Sequence, residues 1–482
     1  MSYTTKTKTR RRKGALALCL VAGTALAVNF GCGGSGVAFI KVSGAEPTAG
    51  TWLAIVLTNF SAASVPAPPA YQTPTWQAEI SDLQQIQASR TQQQIDRAMF
   101  WNAGAVCRWN EIARDLVAAR SVNPPVASRI YAALSIAQFD TLIAVWRMKY
   151  LYNRKYPSEE AGTGIEPILP VPPDPCYPCE HSAIAAASER ILREFFPNDT
   201  AMLDAAKSEH QQSRMWAGIA RRSDVEAGDQ IGVVVAEEVL AYIADDGWDA
   251  VWTGQVPVGD CYWYSSQNPP RPPLLPLWGE VRPWLMTSGS QFRPGPPPDC
   301  NSQEFQEALQ EVRFYSDNRT PEQLAIAMFW ADGPGTATPP GHWNQIACDM
   351  AMAKGLNEVR TARMLALMNM ATMDAGISVW DAKYVYWLIR PSQVDPNITT
   401  PPGLPNFPSY TSGHSGFSGA AATVLSYIFP GEAETLNAMA EEAAISRVYG
   451  GIHYRFDSEV ALEQGRQIGA LAVARGQADG SP

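Results

Sequence analysis

The sequence predicts a mainly α-helical chain made of two tandem helical bundles related by internal duplication, with only the C-terminal bundle carrying the active site. Three observations lead there. Apolar residues recur every three or four positions, as in Ile112-Leu116-Val117, Met364-Leu367-Met368 and Val424-Leu425-Ile428, while strand-like alternation is scarce. A set of short motifs occurs twice at a near-constant spacing. A Pro- and Trp-rich stretch separates the two sets. With 482 residues, 46% of them hydrophobic and 10% aromatic, the chain has material for one large core or two ordinary ones.

Taken in order, residues 1–31 read as a signal peptide or lipoprotein leader. Lys6, Lys8, Arg10, Arg11, Arg12 and Lys13 precede the apolar run from Gly14 to Val28, and Ala25-Leu26-Ala27 offers small residues for cleavage. Cys32, between Gly31 and Gly33, is a candidate for a lipid anchor. The expected location is therefore outside the cytoplasm: a periplasmic, secreted or membrane-anchored lipoprotein of a bacterium. No other long uncharged apolar run follows, which excludes a multi-span membrane protein. Without the six leader cations, 31 Lys+Arg face 47 Asp+Glu. That balance excludes a nucleic-acid partner, since phosphate backbones are held by surplus cations. Among the remaining cysteines, Cys261 and Cys300 bracket one Pro-rich segment and form the expected disulfide, while Cys176-Tyr177-Pro178-Cys179 reads as a loop clip.

Residues 32–75, rich in Gly, Ala, Ser, Thr and Pro, read as a flexible linker, and 76–245 as a degenerate first bundle. Arg90-Thr91 and Ala98-Met99-Phe100-Trp101 return 229 residues later as Arg319-Thr320 and Ala327-Met328-Phe329-Trp330. Trp109-Asn110 and Trp146-x-x-Lys149-Tyr150 return at an offset of 234, as Trp343-Asn344 and Trp380-x-x-Lys383-Tyr384. His181-Ser182, Ser213-Arg214 and Asp224 return at 233, as His414-Ser415, Ser446-Arg447 and Asp457. Between the copies, residues 246–320 read as a connection whose prolines exclude helix, serving as a lid or channel wall or as a packed crossover. Residues 321–482 form the expected catalytic bundle.

That second copy holds three linked segments: Lys383 with Arg390-Pro391; Pro408-Ser409-Tyr410-Thr411-Ser412-Gly413-His414; and Ser446-Arg447-x-x-x-Gly451-x-His453-x-x-x-Asp457. Lys383 and Arg390 are seven apart and are expected on one helical face, with Pro391 ending that helix. The apolar run after Gly413 starts a helix whose free N–H groups favour an anion. His453 and Asp457, four apart, let the carboxylate hold one ring nitrogen and leave the other lone pair to attack or ligate. Three fixed cations, a hydroxyl, backbone donors and two imidazoles suit a multiply charged tetrahedral oxyanion. In the first copy Tyr156 stands for Arg390, Cys179 for Ser412, Glu180 for Gly413 and Ala220 for His453, so that copy is expected to be silent and its Lys149, His181 and Arg214 structural. His210 and His342 belong to no motif and read as ordinary.

Lys-x6-Arg-Pro, Ser-Gly-His and Ser-Arg-x3-Gly-x-His-x3-Asp, in this order over residues 380–457, resemble the vanadium haloperoxidase and type 2 phosphatidic acid phosphatase superfamily. The length, the two-bundle plan and the Trp-rich connection look like bacterial vanadium-dependent haloperoxidases. Thr411 departs from the proline common before Ser-Gly-His, which bears on loop rigidity only. The resemblance implies vanadate as cofactor, with phosphate able to take the same site. His453 would be the axial vanadium ligand and Asp457 would orient it. Lys383, Arg390, Arg447, Ser412 and the N–H of Gly413 would hold the oxyanion, and His414 would be acid and base. Phe407 and Trp380 resemble a chloroperoxidase halide pocket. Hydrogen peroxide, a halide and an organic acceptor would be the reactants and hypohalous acid the product. The alternative is a secreted acid phosphatase with His453 as nucleophile and His414 as general acid.

Overall fold

The computed structural model describes residues 44–58 and 65–482; the leader, its cleavage site and Cys32 lie outside the described residues. Among the described residues the regular structure is helical, with no β-strand and one isolated bridge between Tyr262 and Leu388. The first half contains α1 (Pro74–Ser89), α2 (Gln92–Asn102), α3 (Ala105–Ala119), α4 (Pro124–Tyr152), α5 (Glu180–Phe195), α6 (Thr200–Trp216) and α7 (Arg222–Ile243). The second contains α8 (Gln303–Asn318), α9 (Pro321–Phe329), α10 (Thr338–Lys354), α11 (Glu358–Tyr386), the single turn α12 (Pro391–Val394), α13 (Gly413–Ile428), α14 (Ala433–Tyr449) and α15 (Arg455–Ala478).

The two longest helices, α4 and α11, have 29 residues each and pack on one another in the centre. Each begins at an asparagine cap (Asn123, Asn357) that satisfies a free N–H of the first turn, and each stops at a left-handed residue (Asn153, Trp387). Both are buried nearly all round, and apolar residues therefore occur on all their faces rather than in one stripe. Polar bonds join the halves where they meet: Asn369 Nδ2 donates to Ser135 Oγ at 2.8 Å and Asn344 Nδ2 to Asn110 Oδ1 at 2.9 Å. One apolar cluster runs through both halves, so the two bundles share a core.

The element boundaries differ from the sequence expectation at both linkers. A 3₁₀ turn at Ala49–Thr51 has a counterpart at Trp278–Glu280, 229 residues on. After the first turn, the N–H groups of Ile55, Val56 and Leu57 converge on the Asp140 carboxylate; after the second, those of Trp284, Leu285 and Met286 converge on Asp374. Helices α1 and α8 match in length at 16 residues, with caps at Thr73 and Ser302. Residues 44–58 are thus a packed strap, not a flexible linker, because Ala49 and Trp52 are buried and the backbone is bonded to a buried acid. The geometry shared with the first half begins near Trp278, ahead of the expected boundary at 321. Helix α8 lies inside the stretch expected to be free of helix; the prolines that exclude helix all precede it, and 303–318 contain none.

Cys261 and Cys300 form the expected disulfide. The Cys176–Cys179 clip is not made, and both are buried free thiols. The Cys176 Sγ turns instead toward the Ile219 carbonyl at 3.3 Å and Asp224 Oδ2 at 3.2 Å. No helix among the described residues is long and apolar enough to cross a membrane.

Candidate active site

Lys383 lies in the last turn of α11, but Arg390 is not on that helix. Trp387 turns the chain through a left-handed conformation, the Ile389 N–H bonds the Cys261 carbonyl, and Arg390 caps α12. The side chains converge all the same. Lys383 Nζ donates to the carbonyls of Pro408 and Ser409, both at 2.9 Å. Arg390 donates to the carbonyls of Phe407 (3.0 Å), Pro408 (3.2 Å) and Ile452 (2.6 Å). Ser412 caps α13, and its N–H is held by the Asp457 carbonyl at 3.0 Å. Thr411 is fixed by its hydroxyl, which bonds Gln464 at 2.9 Å, so a side chain supplies the hold that a proline ring would give.

His453 precedes α15 and Asp457 sits in its first turn. Gly451 makes the approach possible: its φ is +72°, and a Cβ there would stand 2.4 Å from the Thr399 carbonyl. His453 Nδ1 is 2.8 Å from Asp457 Oδ2, which also accepts from Ser409 Oγ at 2.5 Å and the Tyr454 N–H at 3.2 Å. A carboxylate oxygen with that role places the proton on Nδ1 and leaves a lone pair on Nε2, which Arg390 Nη1 faces at 3.1 Å.

The resulting cup is rich in buried positive charge. Lys383, Arg390 and Arg447 are fully buried. Burial pulls both arginines down to about 10, and burial together with Arg390 holds Lys383 well below the lysine range. Burial also holds His453 and His414 well below the usual histidine value, helped in His453 by Arg390 and Lys383 and in His414 by Arg447. Burial pushes Asp457 up to about 6, against the pull of Ser409, Lys383 and Arg390. The Ser412 hydroxyl is buried and has no hydrogen-bond partner. A Cβ on Gly413 would make ordinary contacts with the Trp380 and Phe417 rings, at 3.5 and 3.8 Å. Under-neutralised cations, an orphaned hydroxyl and the N-terminus of α13 together fit a tetrahedral oxyanion.

The first half shows the same frame closed by its own acid. Lys149 Nζ pairs with Glu180 at 2.9 Å. Burial pulls Lys149 down, but Glu180, together with Cys176 and Cys179, more than offsets it and the lysine ends above its ordinary value. Arg214 is spent on Asn102 Oδ1 (3.1 Å) and the Ala98 carbonyl (2.8 Å). The Trp109 indole donates to His210 Nδ1 at 3.1 Å, and His210 Nε2 in turn stands 3.0 Å from His181 Nδ1. His210, in no motif, thereby fixes His181.

One wall of the cup is aromatic. The Trp380 and Phe407 rings are 5.0 Å apart, and Lys383 and Arg390 each lie 5.0 Å from the centre of Phe407. The connection holds this wall. The Leu274 carbonyl accepts from Trp380 Nε1 at 3.2 Å and from Tyr384, the Leu274 N–H bonds the Asn406 carbonyl, and Gln393, which caps Arg390, bonds the Tyr264 carbonyl. Sequence reasoning gave Ser409 no role and missed Leu274. Ser409 lay within a motif but had no partner at a recognisable spacing, and Leu274 acts through its backbone, which no side-chain pattern reports.

Residues 363–479 match the model of the PAP2 superfamily. A vanadium chloroperoxidase of Curvularia inaequalis is 29% identical over a match spanning 26% of this chain and 25% of that protein. The crystal structure of the first bacterial vanadium-dependent iodoperoxidase superposes with a TM-score of 0.61 and 27% identity, covering 76% of this chain and 95% of that one. The holo form of a bacterial vanadium-dependent chloroperoxidase gives 0.55 and 16% identity, covering 74% and 94%; at that identity it bears on the fold alone. The segment 363–479, which contains every residue of the cup, matches the PAP2 superfamily, and the helical fold that carries it is that of the vanadium haloperoxidases.

Proposed function

We propose that this chain is a vanadate-dependent haloperoxidase that oxidises halide with hydrogen peroxide to hypohalous acid. The observation that carries the anion site is the contrast between two equivalent buried lysines: Lys149 has a carboxylate at 2.9 Å, whereas Lys383 has only carbonyl partners and a depressed pKa. Bound vanadate supplies a Lewis acid that activates hydrogen peroxide without changing its own oxidation state. The chain's residues do the rest. Lys383, Arg390 and Arg447 neutralise the oxyanion, while Ser412 and the Gly413 N–H donate to it. His453 Nε2 is the ligating lone pair, kept in that tautomer by Asp457. His414 Nε2, 3.4 Å from Arg447, is placed to hold and deliver a proton. Trp380 and Phe407 exclude water beside the cations, which strips a halide and raises its reactivity. Export through the leader, ending in ordinary cleavage or in acylation of Cys32, remains part of this reading.

The superfamily match also favours a phosphomonoesterase with His453 as nucleophile, and one paired experiment separates the two. Purified protein is assayed for vanadate- and peroxide-dependent halogenation of a phenolic dye, and for p-nitrophenyl phosphate hydrolysis without vanadate. The haloperoxidase reading expects vanadate to switch on the first and inhibit any of the second, with both lost in His453→Ala. Phosphate hydrolysis without halogenation of any halide would overturn it.

A further inference from the structure

The two halves keep an offset of 229 as far as Trp101 and Trp330, and one of 234 at Trp109 and Trp343. Five extra residues therefore lie between the two tryptophans of the second half. They fall within the loop at residues 331–337, which leads from the end of α9 to α10 at the side of His414. The Ala331 carbonyl stands 3.2 Å from His414 Nε2. Its counterpart at the 229 offset, Asn102, serves Arg214 instead. The next residue, Asp332, has a φ of +43° and turns its carboxylate to His342 Nδ1 at 3.1 Å. His342 is stacked on Trp330 (centroids 4.7 Å apart) and edge-on to Phe329 (5.0 Å). At the 234 offset the first half has Arg108, whose guanidinium lies over Phe100 and pairs with Glu111. The Asp332–His342 pair is thus an addition of the half that carries the cup.

His414 Nε2 has two neighbours that demand opposite forms of it. A carbonyl only accepts, so Ala331 requires a proton on Nε2; a guanidinium only donates, so Arg447, at 3.4 Å, requires a bare Nε2. Which neighbour wins depends on how firmly the loop holds its carbonyl. We propose that His342, through Asp332, is a positioning residue for His414: the pair clamps the loop so that the Ala331 carbonyl commits the proton to His414 Nε2. Anchored by its stack on Trp330, whose own indole donates to Glu442 at 2.9 Å, His342 gives an otherwise exposed loop a fixed point. The inference concerns the proton donor of the proposed reaction and in that sense rests on that reading, but the clamp itself is testable without it.

The test uses the full ligand-free chain labelled with ¹⁵N-histidine, with the His414 ring signals identified by their loss in His414→Gln. In the wild type, Nε2 of His414 should carry the proton. In His342→Phe, which keeps the stack and loses the bond, and in Asp332→Ala, the Nε2 signal should move toward that of an unprotonated ring nitrogen. His342→Gln, which keeps an N–H for Asp332, should recover most of the change. With vanadate bound, kcat for halide oxidation should fall about tenfold in His342→Phe with the KM for peroxide held within about twofold, the scale typical of groups that orient a ligand or acid from behind. Both positions are partly exposed, with side chains 18% and 12% accessible, so the variants should fold, and melting curves check this. Wild-type His414 nitrogen signals in folded His342→Phe and Asp332→Ala would overturn the inference. A chain that hydrolysed phosphate esters instead of oxidising halide would fail the proposed function and leave the nitrogen measurement standing.

Discussion

Replacing Ser412 by alanine should have opposite effects on the ligand-free and the loaded protein. Its hydroxyl is buried without a partner, so the ligand-free fold carries a desolvation cost of about 1–3 kcal/mol that the alanine removes. Once an oxyanion is present the same hydroxyl makes a hydrogen bond to a charged acceptor, worth about 1.5–3 kcal/mol. Ser412→Ala should thus weaken orthovanadate binding by about 10- to 150-fold while leaving the ligand-free protein as stable as the wild type or about 1 kcal/mol more stable. Isothermal titration in phosphate-free buffer reads the first effect, and denaturant unfolding without any anion reads the second. A dissociation constant within twofold of wild type, or a ligand-free fold weakened by 1 kcal/mol or more, would show that the hydroxyl does not face the guest.

Lys149→Ala leaves the Glu180 charge unpaired in the first half and should cost about 3 kcal/mol in unfolding experiments, with vanadate stoichiometry kept at one per chain. Two sites in the wild type, or none in the variant, would refute the single-cup assignment. Asp374→Ala orphans the N–H groups of Trp284, Leu285 and Met286 and should destabilise the fold by about 3 kcal/mol, read by the same unfolding measurement. The lowered pKa of Lys383 sets a pH dependence. Between that value and the ordinary lysine value the unfolded chain holds the proton that the folded chain has released, so this group's contribution makes ligand-free stability rise with pH across that window. Saturating oxyanion should flatten the rise, and Lys383→Met should remove it.

What could be read from the chain depended on whether an interaction leaves a pattern of side chains. Lys383, Ser412, His414, Arg447, His453 and Asp457 lie on helices or at their ends, where spacing translates directly into position. Arg390 joins Lys383 by a route the spacing does not report: seven residues on would be two turns along one helix, whereas Trp387 turns the chain and carbonyl acceptors bring the guanidinium back. The strap near Trp52 looked like a linker because its order comes from backbone N–H groups on Asp140, and such bonds are indifferent to residue type. The likeness of the two straps is hard to read for the same reason, since beyond a few residues such as Gly50 and Gly279 or Thr58 and Thr287 they share geometry without shared letters. The change of offset from 229 to 234 was legible and marks the loop beside His414, but His342 had no counterpart histidine to draw attention to it.

The seam between α4 and α11 has a consequence for how the protein behaves on dilution. Many helical proteins cover such an apolar face by associating with a second copy, and lose that cover when concentration falls. Here the covering partner is on the same polypeptide, so its local concentration is set by the chain and not by the solution. The half with the closed cup thus serves as a tethered subunit, and the backing it gives α11, the helix that carries Lys383, should persist at nanomolar protein.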